Sequence, residues 1–197
     1  FAYHNCGRPH GSTMMGMPDY VIRGSNKRMT ELQAGILLSQ MGRARQDANK
    51  RLENALYLDS KLKEIPGIIP YKLSDGATRS SYHFYPFRFK KEDFDGLSRE
   101  KFREALRAEG IPSYGGYGKQ YFDGLIEEAI GSRGYKRLFS EQRLKRYREE
   151  LHHLPDTDQL TEEAVMLFQN MLLAERKDMD DIIAAVQKVY KNRKQLL

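Results

Sequence analysis

The residues able to do chemistry fall into a few short stretches of the 197-residue sequence. His4, Cys6 and His10 lie close together near the start. A thiolate activated by an imidazole would be a nucleophile, but closeness in sequence fixes no geometry. The plainer reading of Cys6 is a buried or incidental thiol. No His and Cys spacing forms a closed zinc set, and His152-His153 stands alone in a polar stretch, so no metal site is expected. A single cysteine cannot form an internal disulfide, which fits a reducing compartment. There is no Walker loop and no Gly-x-Gly-x-x-Gly phosphate cradle.

Charge adds less. The 33 basic and 27 acidic residues give a formal net charge of +6 and a pI of about 9.3. That balance permits nucleic-acid binding without demanding it. The densest basic stretch holds Arg133, Lys136, Arg137, Arg143, Lys145, Arg146 and Arg148. It reads first as a solvated helical face and second as an anion-binding surface; no nucleic-acid module is recognisable. No apolar run approaches the roughly 20 residues that cross a bilayer, so an integral membrane protein is not expected. The chain opens on Phe1, without an initiator Met or the layout of a signal peptide, and reads as a portion of a longer protein.

The elements that must position these residues are legible in outline. Residues 1–29, punctuated by Gly7, Pro9, Gly11, Gly16, Pro18 and Gly24, are expected as loop. A loop of that length is either a binding segment or a frayed end. Thr30 and Gln33 have capping-box spacing and start a helix predicted from Thr30 to Lys63, ended by Pro66-Gly67. Its Leu32, Ile36, Met41, Leu52 and Leu56 are expected to pack inward as one stripe. Ser81 to Phe89, dense in aromatics, predicts a strand, with Pro86 pointing to an edge or bulge. A helix opening at Leu97-Ser98 and closed by Gly110 follows, carrying Phe102, Ala105 and Leu106. Ile111 to Gly118 reads as a short extended piece running into a glycine-rich turn. Thr161 to Leu167 and Asp178 to Lys191 read as two further helices, the second N-capped by Asp178. Together these predict an α+β or α/β layer domain.

Five stretches, in order, go further. They are His4-Asn5-Cys6-Gly7-Arg8-Pro9; Gly24-Ser25-Asn26-Lys27-Arg28-Met29-Thr30-Glu31-Leu32-Gln33-Ala34; Ser81-Tyr82-His83-Phe84-Tyr85; Ala108-Glu109-Gly110-Ile111-Pro112 leading to Gly115-Gly116-Tyr117; and Leu172-Leu173-Ala174-Glu175-Arg176-Lys177-Asp178-Met179-Asp180-Asp181-Ile182. The chain resembles, over essentially its whole length, the DegT/StrS group of pyridoxal-phosphate aminotransferases that act on sugar nucleotides and aminocyclitols. Arg8 before Pro9 and the Gly-Gly-Tyr turn lean toward the aminocyclitol branch.

The resemblance implies an α/β fold: the C-terminal small domain of a fold type I transferase, preceded by a remnant of the large domain and a long linking helix. The implied division is 1–29 for the end of the large domain and an active-site loop, 30–63 for the linking helix, and 64–197 for the small domain. In the family the cofactor-bearing lysine, the aspartate pairing the pyridine nitrogen and the residue stacked on the ring lie upstream of the His-Asn-Cys-Gly stretch. No catalytic residue is therefore expected in this chain. Lys27 sits in a later family word, where an aromatic is more usual.

The implied activity of the parent is transfer of an amino group from Glu or Gln to a keto sugar or keto cyclitol, in the cytoplasm, by a homodimer with shared active sites. The alternatives are a non-catalytic dimerisation or ligand-binding module, or a related sugar dehydratase. The asparagine at the Asn26 position reaches across the family's dimer to the partner's cofactor phosphate. An amide donor in a glycine-flanked loop just ahead of a helix suits that task; alternatively Asn26 is a turn residue. Arg28 either joins the phosphate site or orients the loop. Tyr117 falls near the family's substrate, although many members carry a His-Tyr pair where this chain has Gly116-Tyr117. His83 is either a hydrogen-bonded core histidine or a substrate-facing one.

Overall fold

The computed structural model describes residues 2–4, 7–10, 21–22, 24–119, 121, 124–151 and 154–197. Cys6 and His152-His153 lie outside the described residues. The chain divides into two compact units, residues 1–46 and 47–197, with one helix, α1 (Glu31–Leu62), running through both.

In the first unit, α1 starts with the reciprocal cap that its sequence predicts. Thr30 N–H donates to Gln33 Oε1 at 3.0 Å, and Gln33 N–H donates to Thr30 Oγ1 at 3.3 Å. Within this chain the expected inward stripe is covered only in part. Leu32, Ile36 and Met41 are exposed, and so is Leu56 in the second unit; only Leu52 packs partly against the core. At about 100° per residue, Leu32, Ile36, Leu37, Leu38 and Met41 spread around the helix. The row that does bury is Ala55, Leu58 and Leu62, and Leu56 lies on its flank.

The second unit is built on a four-stranded antiparallel sheet in the order β1 (Ile68–Pro70), β2 (Phe84–Phe89), β4 (Ala164–Phe168), β3 (Tyr114–Gly115). Alternation sorts its faces. Tyr85, Phe87 and Phe89 of β2, with Val165 and Leu167 of β4, enter the core. There they meet Ala55, Leu58 and Leu62 of α1, Phe102 and Leu106 of α2 (Arg99–Ala108), and Met179, Ile182, Val186 and Val189 of α7 (Arg176–Lys191). Phe89 stacks on Phe102 with ring centres 4.3 Å apart. Each such buried side chain contributes about 1.5–3 kcal/mol. Between β3 and β4 run α3 (Gly124–Gly131), α4 (Arg133–Leu138), α5 (Glu141–Leu151) and α6 (Pro155–Glu163).

Several local expectations change. Residues 164–168 form a strand, not a helix: Ala-Val-Met-Leu-Phe is too short an apolar run for periodicity to decide, and the sheet decides it. Asp178 is not the N-cap of α7 but its N3 residue, accepting the Glu175 backbone N–H at 2.7 Å, while Glu175 is the cap. Pro86 sits in an inner strand. β1 ends opposite Phe87, so at Pro86 only β4 pairs with β2 and the missing donor costs no ladder bond on the other side. The basic stretch 133–148 is split over α4 and α5, where Arg146 pairs with Glu150 at 2.6 Å and Arg148 with Glu127 at 2.8 Å. That is a solvated surface, neutralised in part by its own carboxylate neighbours. Among the described residues, no helix is long and apolar enough to cross a membrane.

Candidate cofactor and substrate sites

The first candidate site is the loop ahead of α1. Backbone bonds tie it to the start of the chain: Ser25 N–H to Tyr3 O at 2.8 Å and Lys27 N–H to His4 O at 2.9 Å. Gly24 is required there, because a Cβ would come within 2.5 Å of Gly7 N and 2.6 Å of Tyr3 O. So held, Asn26, Lys27 and Arg28 are all exposed. The Asn26 Oδ1 accepts the Arg28 N–H at 3.3 Å, an Asx-type turn that engages the acceptor end of the amide, and the NH2 end is a donor. Lys27 Nζ lies 5.0 Å over the Tyr3 ring.

The second candidate site belongs to the 47–197 unit, on the sheet face opposite the core. His83 is exposed, not a core histidine, and its ring meets Phe84 edge-on at 4.4 Å. The Phe84 ring centre also lies 5.3 Å from that of Phe168 and 6.4 Å from that of Tyr117, and the ring centres of Tyr114 and Phe168 are 4.2 Å apart. Tyr117 is 68% exposed. The two residues expected from sequence, His83 and Tyr117, thus share one aromatic surface. Its other members, Phe84, Tyr114 and Phe168, were missed. Only the register Phe84↔Phe168 and Tyr114↔Met166 across β4 brings them together, and β4 itself read as helix.

Gly116 explains its own departure from the His-Tyr pattern. A Cβ there would lie 2.7 Å from the Ala164 methyl, so the loop before Tyr117 runs directly against β4. Beneath Tyr117 opens a largely apolar cleft of about 590 Å³, lined by Tyr71, Pro86, Tyr121, Leu160 and Met166 among others. At the edge of this region Asp158 accepts from Lys119 Nζ at 2.8 Å and from the Tyr121 hydroxyl. The hydrogen bond to Asp158 raises the pKa of both partners. Aromatic rings over an apolar cleft, with hydroxyls at hand, can hold a ring compound that has flat C–H faces and polar edges. Among the described residues, no cluster of three or more His, Cys, Asp or Glu side chains could hold a metal ion.

Residues 1–187 match the DegT/DnrJ/EryC1/StrS aminotransferase family. Similar proteins include the L-glutamine:2-deoxy-scyllo-inosose aminotransferase of Streptoalloteichus tenebrarius, 31% identical over 89% of this chain and 41% of that protein. The putative L-glutamine:3-amino-2,3-dideoxy-scyllo-inosose aminotransferase of Micromonospora echinospora is 33% identical over 87% of this chain and 41% of its own. The chain therefore spans about two fifths of the length of these relatives. Among solved structures, 3-amino-5-hydroxybenzoic acid synthase matches 97% of this chain and 46% of its own, with a TM-score of 0.68 at 21% identity. Helicobacter pylori PseC, an aminotransferase involved in the biosynthesis of pseudoaminic acid, matches 97% and 45%, at 0.65 and 20%. At that identity the structural likeness is one of fold. Together with the match along nearly the whole sequence, it means that the chain belongs to the DegT/DnrJ/EryC1/StrS aminotransferase family.

Proposed function

We propose that the protein containing this chain is a pyridoxal 5'-phosphate-dependent aminotransferase that moves an amino group from glutamine or glutamate to a keto cyclitol, or to a nucleotide-linked keto sugar. The observation that carries this reading is the family match over residues 1–187, joined to relatives whose names specify L-glutamine and an inosose. On this reading 1–29 closes a large domain, 30–63 links, 64–197 is the small domain, and the enzyme works in the cytoplasm.

The donor chemistry of the loop fits the cofactor's phosphate: an amide NH2 from exposed Asn26 with two neighbouring cationic residues, on a backbone fixed by Gly7 and Gly24. Bound pyridoxal phosphate would supply the electron sink for amino transfer. This chain's part is to hold and orient. Asn26 donates to the phosphate of the partner subunit's cofactor in a homodimer, and Arg28 adds charge or fixes the loop. Tyr117 and His83 contact the substrate, whose ring lies on the aromatic surface with Phe84.

The test is to incubate the full-length protein with 2-deoxy-scyllo-inosose and either L-glutamine or L-glutamate and follow the amine product. Amine formation with either donor supports the reading. Loss of water from a sugar nucleotide would assign a dehydratase instead. No turnover of any keto cyclitol or keto sugar with either donor would leave a binding module.

A further inference from the structure

In β2 the side chains alternate without interruption: Tyr85, Phe87 and Phe89 toward the core, Phe84, Pro86 and Arg88 toward the opposite face. Carried two residues back, that period would put His83 into the core beside Tyr85, and Tyr82 outside with Phe84. The structure has the reverse. Tyr82 is 7% exposed and belongs to the core, its ring 6.3 Å from that of Tyr85. His83 is outside, against Phe84.

The exchange coincides with a backbone anomaly. Tyr82 has φ +49°, in the left-handed region that bulky side chains seldom enter. Among the described residues the other non-glycine residue with positive φ is Asp95, a type that tolerates the conformation. At Tyr82 the Ser80 hydroxyl accepts the backbone N–H at 3.1 Å and braces the turn. Strain of this kind persists where the surroundings over-determine it, and it concentrates at functional sites.

We propose that Tyr82 is a positioning residue, whose left-handed backbone exchanges two neighbouring side chains across the sheet and so holds His83 on the aromatic face where the substrate ring binds. The substrate half of this statement rests on the function proposed above. A His83 held against Phe84, whose ring also faces Tyr117, can hydrogen-bond a hydroxyl at the edge of a polyol whose C–H face lies on the rings. An undisturbed strand would bury the imidazole.

The test compares Tyr82→Asn with Tyr82→Val in the full-length protein. Both lose the buried ring, but only Asn tolerates the left-handed backbone, so the contrast isolates conformation from packing. The first readout is the His83 imidazole resonance, shifted by the Phe84 ring and assigned with His83→Ala. The second is KM for the keto substrate against kcat. The expected result is that Asn keeps the shift, with KM within about twofold of the parent, whereas Val loses the shift and KM rises roughly tenfold with kcat less affected. Equal behaviour of the two variants, whether both keep or both lose the shift, overturns the proposal. If Val does not fold, Tyr82→Gly against Tyr82→Ala repeats the contrast. A shift lost in Val with KM unmoved would uphold Tyr82 as the device that turns His83 outward and remove His83 from the substrate site.

Discussion

The Tyr85 hydroxyl donates to Asp59 Oδ1 at 2.7 Å, joining an inner strand of the sheet to the second half of α1. Tyr85 is fully buried and Asp59 half-buried. Burial raises the Asp59 carboxyl above its ordinary 3.8, against the opposing pull of the Tyr85 hydrogen bond. Burial also raises Tyr85, so its proton stays in this bond at working pH.

A pH dependence follows. With Asp59 raised in the fold, the native state binds more protons than the unfolded chain above pH 3.8. Its contribution is full below 3.8 and is lost as pH rises through the raised value. Denaturant unfolding at a series of pH values should show that slope, and Asp59→Asn should flatten it. Tyr85→Phe removes the bond that opposes the rise, so the Asp59 carbon resonance should titrate higher, with about 1–3 kcal/mol of stability lost.

Glu163 has the opposite sign. It accepts from Arg88 Nε and Lys90 Nζ, both at 2.6 Å, and from Gln159 Nε2 at 2.9 Å. Desolvation raises its pKa, but the three hydrogen bonds together outweigh that and hold the carboxyl below 4.5. Its contribution is present above 4.5 and is lost as pH falls through the lowered value. Glu163→Gln should remove this acid limb and cost about 1.5–3 kcal/mol. An unchanged acid limb in the variant would assign the effect to other carboxylates.

Gly116→Ala brings a methyl against Ala164 in place of open backbone contact. Overpacking of this kind costs about 1–3 kcal/mol. The loop must also shift, taking Tyr117 with it. In the full-length enzyme KM for the keto substrate should rise up to about a hundredfold while the fold survives.

Asn26→Ala should cost on the order of 1.5–3 kcal/mol in cofactor binding, roughly a tenfold to hundredfold weaker affinity. Mixing Asn26→Ala subunits with subunits lacking the cofactor lysine is the sharper measurement. In the heterodimer one site has both an intact lysine and an intact Asn26 from the other chain, so activity should return. No recovery under subunit exchange would take Asn26 off the interface.

Residues 1–197 alone should give no stoichiometric, borohydride-reducible adduct with pyridoxal phosphate and no transamination. A specific adduct on Lys27 would reverse that assignment.

What the sequence determined by itself is local. The Thr30–Gln33 cap, the end of α2 at Gly110 (φ +84°) and the apolar row Met179, Ile182, Ile183, Val186 and Val189 depend on residues a few positions apart, whose contacts follow from helix geometry alone. Family words spread along the chain are legible for the same reason: each is a short run of residue types. Tertiary structure decided what depends on distant partners. Residues 164–168 became a strand because β2 and β3 flank them. The aromatic surface exists only through the pairing of β2, β3 and β4, and His83 reaches it through a left-handed residue that no pattern of residue types announces. Pairing across the chain and a single strained dihedral are properties of the assembled fold, set by packing that outweighs local preference.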